Sequence, residues 1–462
     1  MRKFVSGALF LSLSSLLFLF PLASESEAIP AFAREHKIAC SFCHVGFPKL
    51  NSMGINFKQN GYRMPGTKGT YLWEKPIPLA ARVNFAVPYT KRNWNLIGPA
   101  GETQVPPGSA FGADGEERAD SQELAFKLVN WQLLAGGTLA PNVSFLFQVV
   151  GEVEGLSSAD QGFPAPNESS GTTEIDTEAM VVQIDDLLPK AMLNLRIGKD
   201  HIDHLFLSRP RRLTLAPYTL MFQPVTGGSL HANVVGVELN GLYESGLWYA
   251  LGVRNLHPKF NSDDDREVRP GAFYFTMNYP FLEGQTLGLM FTSDKIGNEN
   301  PGAPGPPIFS NTDDRTYGVG GALDLHWGDF NLVPAFYYYV EGEDIHGGED
   351  LNIYSGTLEL HYSFTNTLIG TTRWDFLNVF DEPTGVFEDN INQLVASLAW
   401  FFHPNVRLVA EYSYLKAELN RMTTFPFNTT LFTSAPGQFT SSNNTRADLE
   451  VNTLTLAFEF NF

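Results

Sequence analysis

The stretch LVASLAWFFHPNVRLVAEYSYL, residues 394–415, decides the fold of this 462-residue chain. Apolar side chains recur at every second position of its first arm, Pro404-Asn405 turns the chain, and the alternation returns opposite Arg407 and Glu411. A period of two indicates strands with one apolar and one polar face, so the stretch predicts a hairpin. Each arm runs to about ten residues, enough to cross a bilayer at the usual barrel tilt, whereas strands of soluble sandwiches are typically about five or six residues long.

The same alternation continues along the chain. The last segment, 451–462, places Leu and Phe on one face and Thr, Glu and Asn on the other, and it ends on Phe462, which resembles the terminal assembly signal of outer-membrane proteins. We predict about 16 antiparallel strands, joined by short turns near 141–142, 188–190, 244–246, 280–284, 328–329, 365–366 and 404–405. The predicted long polar loops are roughly 91–120, 153–176, 199–230, 256–270, 292–314, 341–351, 376–390 and 416–448.

Short turns that alternate with long loops are typical of bacterial outer-membrane barrels. The predicted fold class is therefore all-β, a transmembrane β-barrel over residues 80–462 in the bacterial outer membrane, with both termini on the periplasmic side and lipid around it. A soluble β-sandwich is the less favoured alternative. Aromatic residues predict belts at the two membrane interfaces, and they include Trp73, Trp131, Tyr249, Tyr274, Tyr337, Tyr339, Trp374, Trp400 and Tyr412.

Composition and the N-terminus limit the remaining classes. There are 31 Lys+Arg against 50 Asp+Glu, a net charge of −19, which argues against a nucleic-acid partner. Arg2 and Lys3 precede an apolar core from Ala8 to Leu22, so residues 1–28 read as a signal peptide cleaved after Ala28. Beyond Leu22 no run of eighteen apolar residues predicts a transmembrane helix.

The only two cysteines form a chemical motif. Cys40-Ser41-Phe42-Cys43-His44 matches C-x-x-C-H, the attachment sequence of c-type haem. Two thiols add to the porphyrin vinyl groups, and His44 follows as the proximal ligand of the haem iron. A redox disulfide would leave His44 unexplained, and structural zinc needs four ligands where no second cysteine pair exists. The motif occurs once, so we predict one covalently bound haem c.

The segment around the motif, from Ile29-Pro30-Ala31-Phe32-Ala33-Arg34 through Phe47-Pro48-Lys49-Leu50 to Gly61-Tyr62, carries a resemblance. It resembles the fused monohaem c-type cytochrome-porin family of iron-oxidising bacteria, in which a short haem domain precedes an outer-membrane barrel. The likeness is sharp over about the first forty mature residues and only architectural beyond them. It implies outer-membrane electron transfer, commonly from extracellular Fe(II) to periplasmic carriers such as a cytochrome, and it carries over Cys40, Cys43 and His44.

The sixth haem ligand stays open. Met64 and Met53 are the candidates closest in sequence, although a Met is more commonly a core filler. This chain has Met53 where the family has an aromatic residue before Gly54, and His36 lies just ahead of the motif, where we do not expect it to reach the far face. A more distant option is the stretch 200–204, in a loop expected to fold into the lumen, with Arg209, Arg211 and Arg212 as partners for haem propionates or as ordinary solvated residues.

These observations predict an electron-transfer protein with possible Fe(II) oxidase activity. Residues 29–79 would form a monohaem cytochrome c segment that plugs the lumen. Acidic loop residues such as 263–265 and 313–314 would attract Fe(II), or would only keep the loops solvated. The alternatives are a diffusion porin with an accessory or sensory haem segment, and outward electron flow to extracellular Fe(III). No catalytic triad or nucleotide-binding loop indicates an organic substrate.

Overall fold

The structure, a computed structural model, covers the chain from Ala31 to Asn461 with gaps. It describes residues 31–46, 48–64, 66–75, 78–97, 116–153, 173–202, 212–219, 234–255, 270–295, 315–341, 351–381, 388–403, 405–419 and 446–461. The predicted signal peptide and Phe462 lie outside these residues. No helix among them is long and apolar enough to cross a membrane.

The N-terminal segment, residues 31–75, contains short elements. They are helix α1 (Ala31–His36), a 3₁₀ turn (Cys40–Phe42), strands β1 (His44–Gly46) and β2 (Lys49–Leu50), helix α2 (Ser52–Gln59) and a second 3₁₀ turn (Leu72–Glu74). β1 and β2 pair antiparallel. Asn51 caps α2, because its side-chain oxygen accepts a hydrogen bond from Gly54 N at 3.0 Å.

From Leu79 onward the chain forms one closed antiparallel barrel. Its strands are β3 (Leu79–Ile97), β4 (Glu116–Leu124), β5 (Lys127–Ala140), β6 (Val143–Val153), β7 (Thr173–Leu188), β8 (Leu193–Asp200), β9 (Val234–Leu242), β10 (Trp248–Asn255), β11 (Pro270–Leu282), β12 (Gln285–Lys295), β13 (Arg315–Trp327), β14 (Phe330–Glu341), β15 (Leu351–Thr365), β16 (Leu368–Asp381), β17 (Glu388–His403), β18 (Val406–Leu419) and β19 (Arg446–Asn461).

The described strands amount to sixteen positions around the barrel. β4 and β5 both pair with β3, so they are two pieces of one strand, interrupted at Ala125 and Phe126. β19 closes the barrel on β3, with Arg446 opposite Ile97 and Asn461 opposite Arg82. The predicted strand number is confirmed.

The period of two sorts side chains as the sequence predicts. On β17, Leu394 is 51% exposed and Leu398 and Trp400 are each 43% exposed, whereas Val395 and Ala399 are buried. The exposed set lies on the outer face and the buried set faces the lumen. On β18, Arg407 and Glu411 are buried in the same inward row. The barrel therefore has an apolar outer wall and a lumen that carries charged residues.

The predicted short turns are confirmed, but several strands run further than predicted. β16 continues to Asp381 and β17 starts at Glu388, where the sequence predicted a loop over 376–390. The main-chain ladder does not need apolar side chains, so pairing continues above the apolar band. We call the two ends of the barrel the short-turn end and the long-loop end.

Three of the predicted belt aromatics face the lumen instead. Tyr274, Tyr337 and Tyr339 are at most 1% exposed. The Tyr274 hydroxyl bonds to Glu238, and the Tyr337 hydroxyl lies 2.5 Å from Thr292 Oγ1. These tyrosines point inward on their strands, and the hydroxyls of Tyr274 and Tyr337 have the polar partner that a buried tyrosine usually finds.

Of the other predicted belt aromatics, three lie on the outer face and one lies outside the barrel strands. Trp374, Trp400 and Tyr412 are 43–44% exposed on the outer face, as predicted. Trp73 lies in the second 3₁₀ turn of the N-terminal segment and so belongs to no barrel strand.

Candidate functional site

The N-terminal segment contacts the inner wall on two sides of the barrel. On one side Lys49 Nζ donates a 2.6 Å hydrogen bond to Asn331 Oδ1 of β14. On the other side Arg63 forms ion pairs with Asp185 and Asp186 of β7. Lys49, Arg63 and Asp185 are almost fully buried, so these contacts are shielded from water.

Further main-chain contacts lie at the short-turn end. Gly69 N donates to Pro141 O at 3.2 Å, and Thr70 N donates to Thr138 Oγ1 at 3.1 Å. Arg34 also donates to Leu79 O at 2.7 Å, at the start of the first barrel strand. The segment therefore contacts β3, β5, β7 and β14 where these strands approach their short turns.

The motif cysteines sit in a tight turn at this end. Cys43 N donates to Cys40 O at 3.1 Å, which closes the 3₁₀ turn, and both thiols are free. Cys40 Sγ lies 4.0 Å from the side-chain oxygen of Asn405, in the turn between β17 and β18. A Cβ at Gly46 would lie 2.7 Å from the Phe401 ring, so β1 runs close beside the wall.

The start of α2 packs directly on the motif. Asn51 N donates to Cys43 O at 2.9 Å, and the Asn51 side chain donates to Phe42 O at 3.1 Å. A Cβ at Gly54 would lie 2.2 Å from Cys43 O, so only glycine allows this approach. The helix thus fixes the turn that carries the two thiols.

The protonation states suit a haem ligand set. Burial lowers the pKa of His44 to about 4, so its imidazole is neutral near pH 7. Burial also raises the pKa of the Cys40 and Cys43 thiols. His44 Nδ1 lies 3.3 Å from Pro48 O, and a backbone carbonyl is a partner that typically orients a ligating imidazole. Two free thiols beside an oriented neutral imidazole fit covalent haem c.

The two methionine candidates lie at opposite ends of α2. Met53 is in its first turn, next to Gly54, at the end that touches the motif. Met64 follows the helix beside Arg63, and its carbonyl accepts hydrogen bonds from Thr67 N and Oγ1 at 3.0 and 2.7 Å. The assignment of either as sixth ligand stays a prediction.

The more distant option lies across the barrel. His201 Nδ1 is 3.0 Å from Asp200 Oδ1, and the Asp200 carboxylate also pairs with Arg196. These residues are at the end of β8, nearly opposite β17 and β18 in the order of strands, and Asp200 lies within electrostatic range of Lys58 in α2. Asp203, His204, Arg209 and Arg211 lie outside the described residues.

Part of that loop enters the lumen, as predicted. In residues 212–219, Leu215 N and Ala216 N donate to the Glu411 carboxylate of β18 at 2.7 and 2.6 Å. The Tyr218 hydroxyl lies 3.0 Å from both carboxylate oxygens of Glu359 on β15. We call residues 212–219 the inserted segment.

Arg373 of β16 completes this docking. It donates to Thr214 Oγ1 at 2.6 Å and to the carbonyls of Ala216 and Pro217 at 2.9 and 2.7 Å, and it pairs with Asp375 at 2.9 Å. The sequence singled out neither Arg373 nor Arg63 for such a role, because the inserted segment that Arg373 binds and the β7 carboxylates that Arg63 binds lie more than a hundred residues away.

Comparison with known proteins supports the fold. No family model and no curated protein matches the sequence. OmpT of Vibrio cholerae, an outer-membrane protein solved in a trimer form, is similar in structure with a TM-score of 0.50 at 8% identity, over 84% of this chain and 99% of that chain. The channel DcaP of Acinetobacter baumannii gives 0.49 at 11% identity, over 83% and 97%.

A third solved structure is an anion-selective porin from Comamonas acidovorans, with a TM-score of 0.47 at 11% identity, over 84% of this chain and 99% of that chain. At these identities the likeness concerns the fold alone. The closed antiparallel barrel, with the fold of the outer-membrane protein OmpT, places the protein in the bacterial outer membrane, as predicted. In outer-membrane barrels the short turns lie on the periplasmic side, so we expect the motif at the periplasmic end.

Proposed function

We propose that this protein is a monohaem cytochrome-porin that carries electrons across the outer membrane. One haem c would be attached to Cys40 and Cys43, with His44 as its proximal iron ligand and residues 31–75 as a plug in the lumen. The observation that carries the proposal is the C-x-x-C-H turn, with two free thiols and an imidazole held near a backbone carbonyl, in a segment that contacts the inner wall. When bound, the haem supplies a one-electron couple that no side chain of this set offers.

The proposed direction runs from extracellular Fe(II) to a periplasmic carrier such as a cytochrome. The motif turn lies beside Asn405 at the periplasmic end, so a soluble carrier would meet the protein there. The donor would enter from the long-loop end, where the acidic loops predicted to attract cations lie outside the described residues. The resemblance of the N-terminal segment to the cytochrome-porins of iron-oxidising bacteria supports this assignment.

The test combines a haem stain of the denatured protein with reduced-minus-oxidised spectra of outer membranes, before and after adding Fe(II). We expect covalent haem that Fe(II) reduces, loss of covalent attachment in Cys43→Ser, and retention in Ser41→Ala, which alters only the spacer of the motif. Wild-type protein without covalent haem would refute the proposal. Haem that ignores Fe(II) but passes electrons to external Fe(III) would reverse the direction.

Access from outside the cell needs a separate test. In intact cells, a membrane-impermeant reductant should change the haem spectrum of this protein as fast as it changes the spectrum of a soluble control cytochrome. Haem that responds only after the outer membrane is permeabilised would contradict transfer across the membrane.

A diffusion porin with an accessory haem segment is the second candidate, and it is favoured by the likeness of the barrel to OmpT. Reconstituted vesicles distinguish the two. A plugged conduit should pass small sugars slowly, and a double substitution that releases the segment, Lys49→Met with Arg63→Met, should speed their entry. Fast entry through the wild-type protein would favour the porin.

A further inference from the structure

We infer that His36 supplies the second axial nitrogen to the haem iron, opposite His44. This inference rests on the proposed function, because it assigns a ligand within the same haem site. It replaces the expectation from sequence that His36 lies out of reach and that Met64 or Met53 closes the site.

The first observation is an unsatisfied nitrogen. His36 Nε2 is buried and has no hydrogen-bond partner. A buried polar atom without a partner is costly, and native structures rarely leave one unpaired. A buried methionine thioether without a partner has no comparable energetic cost, because its sulfur is only a weak hydrogen-bond acceptor. The N-terminal segment thus holds one imidazole nitrogen that needs a partner and is of the type that binds haem iron.

The second observation places this imidazole near the motif. The His36 ring packs edge-on against Phe57, with ring centroids 5.5 Å apart and an interplanar angle of 86°. Phe57 and Gly54 are three residues apart in α2, so they lie on the same helix face, and both are buried. Gly54 is the residue that touches Cys43 O. His36 and the motif turn therefore pack on one face of α2, about one helical turn apart.

The connection between them folds back sharply. Lys37 has a φ of 53°, and Ile38 N donates to Ala33 O at 3.2 Å, which ends α1 and reverses the chain. The next residues return to the 3₁₀ turn at Cys40. His36 and His44 are thus joined by a short connection that folds back on itself, and both residues would be available to hold the haem iron.

The surroundings of His36 are aromatic and apolar. Phe32 stacks on Tyr62 at 5.2 Å, and Phe57 packs edge-on against Phe32 at 5.1 Å. These rings form the apolar core next to His36. His201 also has a buried unpartnered Nε2, but it follows β8, which is not a neighbour of the strands beside the motif, and it serves as a matched control.

The experiment records ferric and ferrous spectra, carbon monoxide binding and the reduction potential of the purified full-length protein and its variants. Wild-type haem should be low-spin with two imidazole ligands and should not bind carbon monoxide. His36→Ala should bind carbon monoxide stoichiometrically and recover the low-spin spectrum with added imidazole. His36→Met should raise the potential, because methionine ligation does so relative to a second histidine.

His201→Ala should match the wild type in every readout. The inference is overturned if His36→Ala keeps the wild-type spectrum, or if the wild-type ferric spectrum shows the charge-transfer band of a thioether ligand that Met53→Leu or Met64→Leu abolishes. The haem stain distinguishes failure of the His36 assignment from failure of the proposed function. Covalent haem in all variants with an unmoved spectrum rejects His36 alone, whereas wild-type protein without haem rejects the proposed function together with it.

Discussion

The N-terminal segment and the barrel wall differ in net charge and in the kind of contact that holds them. Residues 31–75 hold seven Lys+Arg against two Glu, a net charge of +5, and the rest of the chain holds 24 against 48, a net charge of −24. The wall repeats one pattern over sixteen strands joined by main-chain hydrogen bonds. The segment has short helices and a two-residue strand, and it meets the wall mainly through side chains such as Lys49 and Arg63.

The difference shows where specificity resides. A ladder of main-chain hydrogen bonds tolerates many side chains as long as the period of two is kept. A segment positioned by a few buried charges inside a wall of opposite net charge depends on each of them. Single substitutions should therefore displace the segment without opening the barrel, and the following tests measure that contrast.

The largest effect should come from Arg63→Met. The substitution leaves the buried carboxylate of Asp185 and the neighbouring Asp186 without their cation, which costs about 3–5 kcal/mol. We expect hydrogen exchange across residues 31–75 to accelerate strongly, while the heat-modifiable gel mobility of the barrel stays unchanged. Lys190→Met is the control, because it removes an exposed pair with Glu244 at the same end. Equal exchange in the two variants would show that the ion pair does not anchor the segment.

Gly54→Ala should have the next largest effect. Its Cβ would meet the Cys43 carbonyl, so α2 or the motif turn must shift, at about 1–3 kcal/mol. The measurable result is a loss of covalent haem on the stained gel, with the barrel intact. Gly321→Ala on β13 is the matched control, since its Cβ would have only ordinary contacts, the nearest at 3.7 Å. Normal haem content in Gly54→Ala would contradict the contact.

A smaller effect is expected from Glu411→Gln, which tests whether the inserted segment behaves like the N-terminal one. The amide keeps one acceptor oxygen but loses the charge that receives Leu215 N and Ala216 N, and a hydrogen bond to a charged group contributes about 1.5–3 kcal/mol. Exchange at residues 215 and 216 should rise while residues 31–75 stay protected. Glu418→Gln, further along the same strand beside Lys416, should leave both regions unchanged.

The smallest effect concerns the two faces of the wall. Brominated lipids quench tryptophans that face the bilayer, so Trp374→Phe and Trp400→Phe should each reduce the quenched fraction of the fluorescence. Trp248 is 4% exposed, and Trp248→Phe should raise that fraction. The reverse order would mean that the inward and outward rows had been exchanged.

The sequence predicts the wall well because its signal is local. The alternation over residues 394–415 yields β17 and β18 together with the row that each side chain occupies. It fails at the run Phe336-Tyr337-Tyr338-Tyr339, where aromatic residues fill both rows and give no contrast. Phe336 is 46% exposed, whereas Tyr337 and Tyr339 are buried.

The site was only partly predictable. The C-x-x-C-H motif predicts the haem-attachment residues from the sequence alone, because this attachment requires two cysteines at that spacing followed by a histidine. The partners of Arg63 and Lys49 lie on strands far along the chain, so no local sequence pattern predicts these contacts. His36 illustrates the same limit, because only the folded structure shows that its Nε2 is buried without a partner and that its ring packs on Phe57.

The closure of β19 on β3 has a consequence for the order of assembly. This pairing joins strands from the two ends of the barrel sequence, so it has the greatest chain separation of any strand pair and the highest cost of loop closure. The N-terminal segment leads directly into β3 and therefore lies next to the strand pair that we expect to form last. If the proposed haem is attached in the periplasm, the segment that carries it can move sideways through the gap between β3 and β19 before these strands pair. Neither mouth of the finished barrel then has to admit the segment.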